Sequence, residues 1–204
     1  MAERSSGSAT RPSLLLRIRE PADAEAWETF VRVYGPLFYR HCRGRGLQDA
    51  DAAEVTQEVL LQVSRSIRRF DYRPDYGRFR DWLGTLTRQR INRFLKRKAG
   101  QIEAQAESFE AGLDDIASPE QDTQWTEEFQ THILKTALMQ IRPHFEEHTW
   151  QAFQDVWLEG RPAAEVAAAL DQKLEWVYMA KSRVLKRLRE EVQVLAEDSA
   201  WLVR

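Results

Sequence analysis

Residues Gly160–Leu195 read GRPAAEVAAALDQKLEWVYMAKSRVLKRLREEVQVL. A Gly-Arg-Pro start opens a short Ala-rich helix over Pro162–Leu170. A three-residue turn, Asp171-Gln172-Lys173, follows, and a longer helix runs from Leu174 to about Leu195. Two helices of these lengths across so short a turn resemble a helix-turn-helix. Val177, Val184, Leu188, Val192 and Leu195 repeat at helical spacing and mark the inward stripe of the second helix. Glu175, Met179, Ser182, Arg183 and Lys186 lie opposite, where a helix-turn-helix meets base edges and phosphates. An αα-corner inside a bundle would show the same inward stripe.

Working outward, every further apolar pattern is helical. Trp27, Phe30, Val31 and Tyr34 follow the i, i+3, i+4, i+7 rule in a helix capped by Asp23. Gly35-Pro36 is expected to break it, with a second piece over Leu37–Arg45 and Gly46 as its C-terminal cap. Asp49 or Asp51 is expected to cap the next helix, which runs to about Phe70 on a stripe of Val55, Val59, Leu60, Val63 and Ile67. Tyr72–Gly77 reads as a turn-rich loop. A basic helix follows over Arg78–Lys98, with Phe79, Trp82, Leu83, Leu86, Ile91, Phe94 and Leu95 as its apolar set. Thr126–Ile141 and Thr149–Glu159 complete the set, and alternating β-branched strand patterns are absent. The predicted class is all-α: a helical domain over 13–99, an acidic linker over 100–124, a helix-turn-helix domain over 125–196, and tails at 1–12 and 197–204.

Charge is segregated although the formal net charge is only −2. Residues 65–98 are strongly basic; residues 101–128 hold Glu103, Glu107, Glu110, Asp114, Asp115, Glu120, Asp122, Glu127 and Glu128 without a Lys or Arg. Cations with interleaved aromatics suit a phosphate backbone and unpaired bases, and Phe70–Lys98, FDYRPDYGRFRDWLGTLTRQRINRFLKRK, has both. An ordinary helix with a buried aromatic stripe and a solvated Arg face would look alike. The single cysteine, Cys42, excludes an intrachain disulfide and is expected in the core. With no apolar run of about 20 residues and no signal-like N-terminus, a cytoplasmic protein is expected. His144 and His148 have a spacing open to zinc, but at a helix boundary a loop role is favoured. No phosphate-binding glycine loop or nucleophile elbow is present, so no enzyme activity, cofactor or metal is expected.

Three stretches resemble a known family. Asp51-Ala52-Ala53-Glu54-Val55-Thr56-Gln57-Glu58-Val59 resembles the clamp-gripping region of sigma-70 family sigma factors, and Phe79-Arg80-Asp81-Trp82-Leu83 with its basic helix resembles the adjoining −10-reading region. Gly160–Val192 is similar to the family's −35-reading helix-turn-helix. The order and length resemble the small extracytoplasmic-function (ECF) type. Leu37–Cys42 and Tyr72–Arg80 resemble planctomycete-like versions.

The resemblance implies a sigma factor that binds core RNA polymerase and promoter DNA and directs initiation. It implies polymerase contacts at Asp51, Glu54, Gln57 and Glu58. It implies −10 contacts at Arg88, Gln89, Arg90, Asn92, Arg93 and Lys96, and −35 contacts at Glu175, Trp176, Met179, Ser182, Arg183 and Lys186. The acidic linker would thread the RNA exit path, and an anti-sigma factor or another regulatory protein is admitted as a further partner. The chain departs from the family at Gln89 (usually Asn), Asp171 (usually Gly) and Trp176 (usually small). Tyr178, Met179 and Ala180 stand where basic residues are usual. Trp82, Tyr72 and Tyr76 stay undecided between core and base contact, and Trp176 between DNA and core. Two other functions stay open: a helix-turn-helix regulator acting without polymerase, and an all-α module whose basic helix binds an acidic protein.

Overall fold

Asp23 shows how the chain starts its first long helix. Its carboxylate accepts the Ala26 N–H at 2.9 Å and so caps α2 (Ala24–Gly44). Arg17, in the short α1 (Leu14–Arg17), grips both oxygens of the same carboxylate at 2.8 and 2.9 Å. These bonds, Arg17 first, hold the Asp23 carboxyl below its usual range. The computed structural model describes residues 13–70, 79–99, 119–197 and 202, with backbone alone over 119–122.

α2 corrects one expectation: it runs unbroken through Gly35-Pro36. A proline inside a helix removes a hydrogen bond and costs about 3 kcal/mol. Against this, Phe30, Val33, Tyr34, Leu37 and Phe38 share one fully buried stripe across the proline. Each such side chain contributes roughly 1.5–3 kcal/mol, so packing outweighs the local penalty. Gly46, at φ +85°, then turns the chain toward the next helix.

α3 (Asp49–Ser66) is preceded by Gln48 at its N-cap, with no side-chain cap. Asp49 and Asp51 therefore sit in the first turn, where the helix dipole favours them, rather than at the cap. The helix tightens into a 3₁₀ turn over Ile67–Arg69, short of Phe70. Val55, Val59, Val63 and Ile67 are buried as their spacing predicts. The predicted loop Tyr72–Gly77 lies outside the described residues, and so do Tyr72 and Tyr76. α4 (Phe79–Lys98) buries Phe79, Leu83, Leu86, Ile91 and Phe94. Leu95, expected in that set, is exposed instead.

α5 (Pro119–Ile141) starts ahead of the expected Thr126. A 3₁₀ turn at Arg142–His144 leads to α6 (Glu147–Phe153), which continues into a π-helical turn at Gln154–Leu158. The buried Asp155 in that turn accepts from Gln151 at 2.6 Å and from Arg161 at 2.7 Å. α7 (Ala163–Ala169) and α8 (Leu174–Ala196) follow. Asp171 between them has φ +51°, the left-handed conformation that a glycine adopts freely and Asp tolerates. Among the described residues no strand occurs, and no helix is long and apolar enough to cross a membrane. The acidic stretch 100–118 lies outside them.

One apolar core joins the helices on both sides of that stretch. α5 packs on α2 and α4 with one part of its surface and on α8 with another. The Trp125 ring stacks parallel to Phe38 at 6.4 Å, and its N–H donates to Arg80 O at 2.8 Å. A Cβ built on Gly84 would lie 2.7 Å from that ring, so the close approach of α5 to α4 requires glycine there. The fully buried Tyr34 donates to Leu195 O of α8 at 2.8 Å, and burial raises its phenol far above the usual range. Ser13 donates to Glu197 across the same chain ends. A second, smaller cluster of Ala152, Val166, Ala167, Val177 and Ala180 supports α7 and the start of α8.

Candidate polymerase and nucleic-acid interfaces

The four residues expected to meet polymerase lie on the first half of α3. Glu54 and Gln57 are exposed; Asp51 and Glu58 are half-buried. Sequence reading missed their partners. Arg97 of α4 donates to Glu54 at 3.0 Å and to Glu58 at 3.2 Å, and Lys98 meets Asp51 at 2.5 Å. Arg97 and Lys98 also lie against the Phe94 ring, at 5.4 and 5.8 Å from its centroid. Arg90 and Arg97, seven residues apart, share one helix face, and that spacing was the available signal that both turn toward α3.

The six −10 candidates on α4 divide. Arg88, Gln89, Asn92, Arg93 and Lys96 form a row away from the buried stripe, with Arg93 and Lys96 exposed and the others half-buried. Arg90 is turned aside and donates to Gln62 of α3 at 2.5 Å. Arg88 reaches back to Thr85 Oγ1 at 3.4 Å. Trp82 is half-buried against Phe70 and Phe79, with centroids 4.6 and 5.6 Å away, so its ring belongs to the edge of the core.

The six −35 candidates on α8 divide too. Glu175, Met179, Ser182, Arg183 and Lys186 are exposed along one side. Trp176 is half-buried against the smaller cluster, which gives its ring a packing role. Of the residues standing where basic ones are usual, Ala180 is fully buried, whereas Tyr178 and Met179 are exposed by 55% and 56%. Tyr178 therefore joins the outward face.

Two histidines sit where α5 meets α2. His41 Nδ1–H donates to Glu128 Oε2 at 2.7 Å, and Gln124 donates to Oε1 at 2.8 Å. Burial alone would raise the Glu128 carboxyl, but these bonds and the charge of Arg45 hold it below its usual value. His132 Nε2–H donates to Val33 O at 2.6 Å, and Nδ1 accepts from Arg40 at 2.5 Å. Both ring nitrogens are thereby used by the neutral imidazole. Burial, with Arg40 and Lys135 nearby, pushes the His132 pKa down. Cys42, beside His41 in sequence, is fully buried, and burial pushes its thiol up to about 11. The pair has no geometry for nucleophilic chemistry. Among the described residues no three His, Cys, Asp or Glu side chains gather as a metal site, and His144 instead faces Ile141 O at 3.3 Å.

Residues 30–101 match the family described as sigma-70 region 2, a span that takes in most of α2 and all of α3 and α4. The ECF RNA polymerase sigma factor SigE of Mycolicibacterium smegmatis is 28% identical over 188 residues, covering 89% of this chain and 67% of that protein.

Proposed function

We propose that the chain is a sigma factor of the sigma-70 family, in its ECF form, on the strength of the region 2 match over residues 30–101 and the likeness to an ECF sigma factor, and that its surfaces divide the work as follows. The acids of α3 bind core RNA polymerase. The outward row of α4 engages the opened strand at −10. The exposed side of α8 reads −35. Arg93, Lys96 and Arg88 supply sequence-independent attraction to phosphates, while Gln89 and Asn92 offer amides that can pair with base edges. On α8, Arg183 and Lys186 reach guanine or phosphate, and Ser182 either. Holding two weak readers in one chain raises the effective concentration of each at the other's site.

The observation that carries this reading is the span of the family match. It holds the acidic face of α3 and the cationic row of α4 within one stretch, residues 30–101. A helix-turn-helix regulator acting alone would need neither. The deciding experiment mixes the purified chain with core polymerase on genomic template and sequences the transcripts. Start sites sharing upstream −10 and −35 elements, absent with core enzyme alone, are expected. A transcript pattern identical to that of core enzyme overturns the reading.

A further inference from the structure

The first two turns of α8 carry an exposed apolar pair. Tyr178 and Met179 are exposed by 55% and 56%, and neither joins either apolar cluster of the fold. Their neighbours fix where they point. Val177 and Ala180, directly before and after them, are fully buried, so the helix cannot roll the pair inward without exposing its own anchors. Met179 sits in the middle of the outward side of α8. One turn before it is Glu175, and one turn after it are Ser182 and Arg183, all exposed.

An apolar side chain at the centre of a base-reading face narrows what that face can read. The start of the second helix is the part of a helix-turn-helix that enters the major groove. Base edges there offer hydrogen-bond donors and acceptors, and a thioether laid over them displaces their water and returns almost nothing. Thymine is the exception, because its C5 methyl group stands in the groove and suits apolar contact. Glu175 favours the groove floor over the backbone, since a carboxylate one turn away repels phosphates. The exposed cations come later on the helix, at Arg183 and Lys186.

We propose that Met179, with Tyr178 beside it, reads a thymine of the −35 element through its C5 methyl group. This deepens the reading of α8 given above and rests on it. It also accounts for an apolar pair standing where basic residues are usual: selection at this position comes from burying a methyl rather than from charge.

The test uses holoenzyme reconstituted with core polymerase and promoter duplexes carrying a −35 element mapped as above. Each thymine of the element, on either strand, is replaced in turn by deoxyuridine, which keeps every hydrogen-bonding group and lacks only the methyl. One replacement is expected to weaken wild-type binding about fourfold, the contribution of one buried methyl. Met179→Ala should weaken binding to the thymine promoter by at least as much and lose its sensitivity to that replacement. Met179→Leu, still apolar, should keep the sensitivity, which separates lost reading from a folding defect. Arg183→Ala is the reference for the face and should weaken binding to thymine and deoxyuridine promoters alike. If it does so while no replacement alters wild-type affinity, or while Met179→Ala stays as sensitive as the wild type, methyl reading is overturned and the α8 reading stands. A −35 element without thymine on either strand overturns it equally. If neither Arg183→Ala nor changes to the −35 bases alter binding, the α8 reading fails and takes this one with it. Loss of core polymerase affinity in Met179→Ala, with deoxyuridine sensitivity unchanged, gives the pair to a protein contact and overturns the DNA assignment.

Discussion

The two cationic helices of this chain hold their side chains on different terms. On α4, Arg90, Arg97 and Lys98 are tied to α3, and Arg80 is tied through its carbonyl to Trp125. The helix itself is clamped by the main core. On α8, the outward side chains stand exposed where the helix starts, over a small cluster built largely of alanine and valine. The face of α4 turned to α3 is set within the fold, whereas Arg93 and Lys96 on its outward row stand exposed, as do the side chains at the start of α8. Preorganisation lowers the entropic cost of association, so the tied face of α4 has less left to order on meeting a partner than the exposed row of either helix.

The largest expected effect breaks the rigid side. Trp125→Ala removes a stacked ring and a hydrogen bond at the junction of α2, α4 and α5, and should cost about 3–5 kcal/mol in thermal or denaturant unfolding. Gly84→Ala, which drives a methyl into the same ring, should cost about 1–3 kcal/mol. Near-native stability in both would show that α5 is not seated on α4.

Next, Arg183→Ala should weaken −35-dependent binding by about 1–3 kcal/mol while changing stability by less than about 0.5 kcal/mol. Polymerase affinity should be untouched. Equal losses of DNA and polymerase binding would place this side of α8 at the enzyme.

Acid should act on the junction. The folded His132 pKa lies below the ordinary histidine value of about 6.5, so the unfolded chain takes up the proton first as pH falls. His132 therefore lowers stability progressively below that value. The depressed Glu128 carboxyl loses its contribution only at lower pH still. Tm should fall between about pH 7.5 and 5.5, and His132→Gln should flatten that fall; an equal fall in the variant would remove His132 as its cause.

The smallest effect concerns α3. Arg97→Ala breaks exposed pairs to Glu54 and Glu58 and should change stability by less than about 1 kcal/mol. A larger loss would mean that the pairs hold α3 and α4 together.

Much of this was legible in periodicity. The stripes on α3 and α8, the Asp23 cap and the turn at Asp171 follow from spacing and local chemistry alone. Pro36 did not, because the contacts that outweigh it come from α4, α5 and α8. The same limit hid α5's second partner. His132 and Thr136, which apolar spacing does not mark, are also buried on α5, His132 against Val33 of α2. Leu95 was misplaced because it sits at the rim of a pocket, which apolar spacing cannot distinguish from a core. On the candidate surfaces, sequence located the rows but not their exceptions: Arg90 and Trp176 turn toward neighbours that lie far away in sequence.

Trp125 also bears on how the chain is made. Synthesis delivers α2, α3 and α4 first, with Phe38, Gly84 and the side of Tyr34 that faces Phe129 still uncovered. Until α5 emerges, the nascent chain carries an aromatic surface facing water, the kind of patch that invites self-association. A fragment cut after α4 would keep that surface permanently. The first three long helices expressed alone should therefore self-associate, and a soluble monomer should return when α5 is restored.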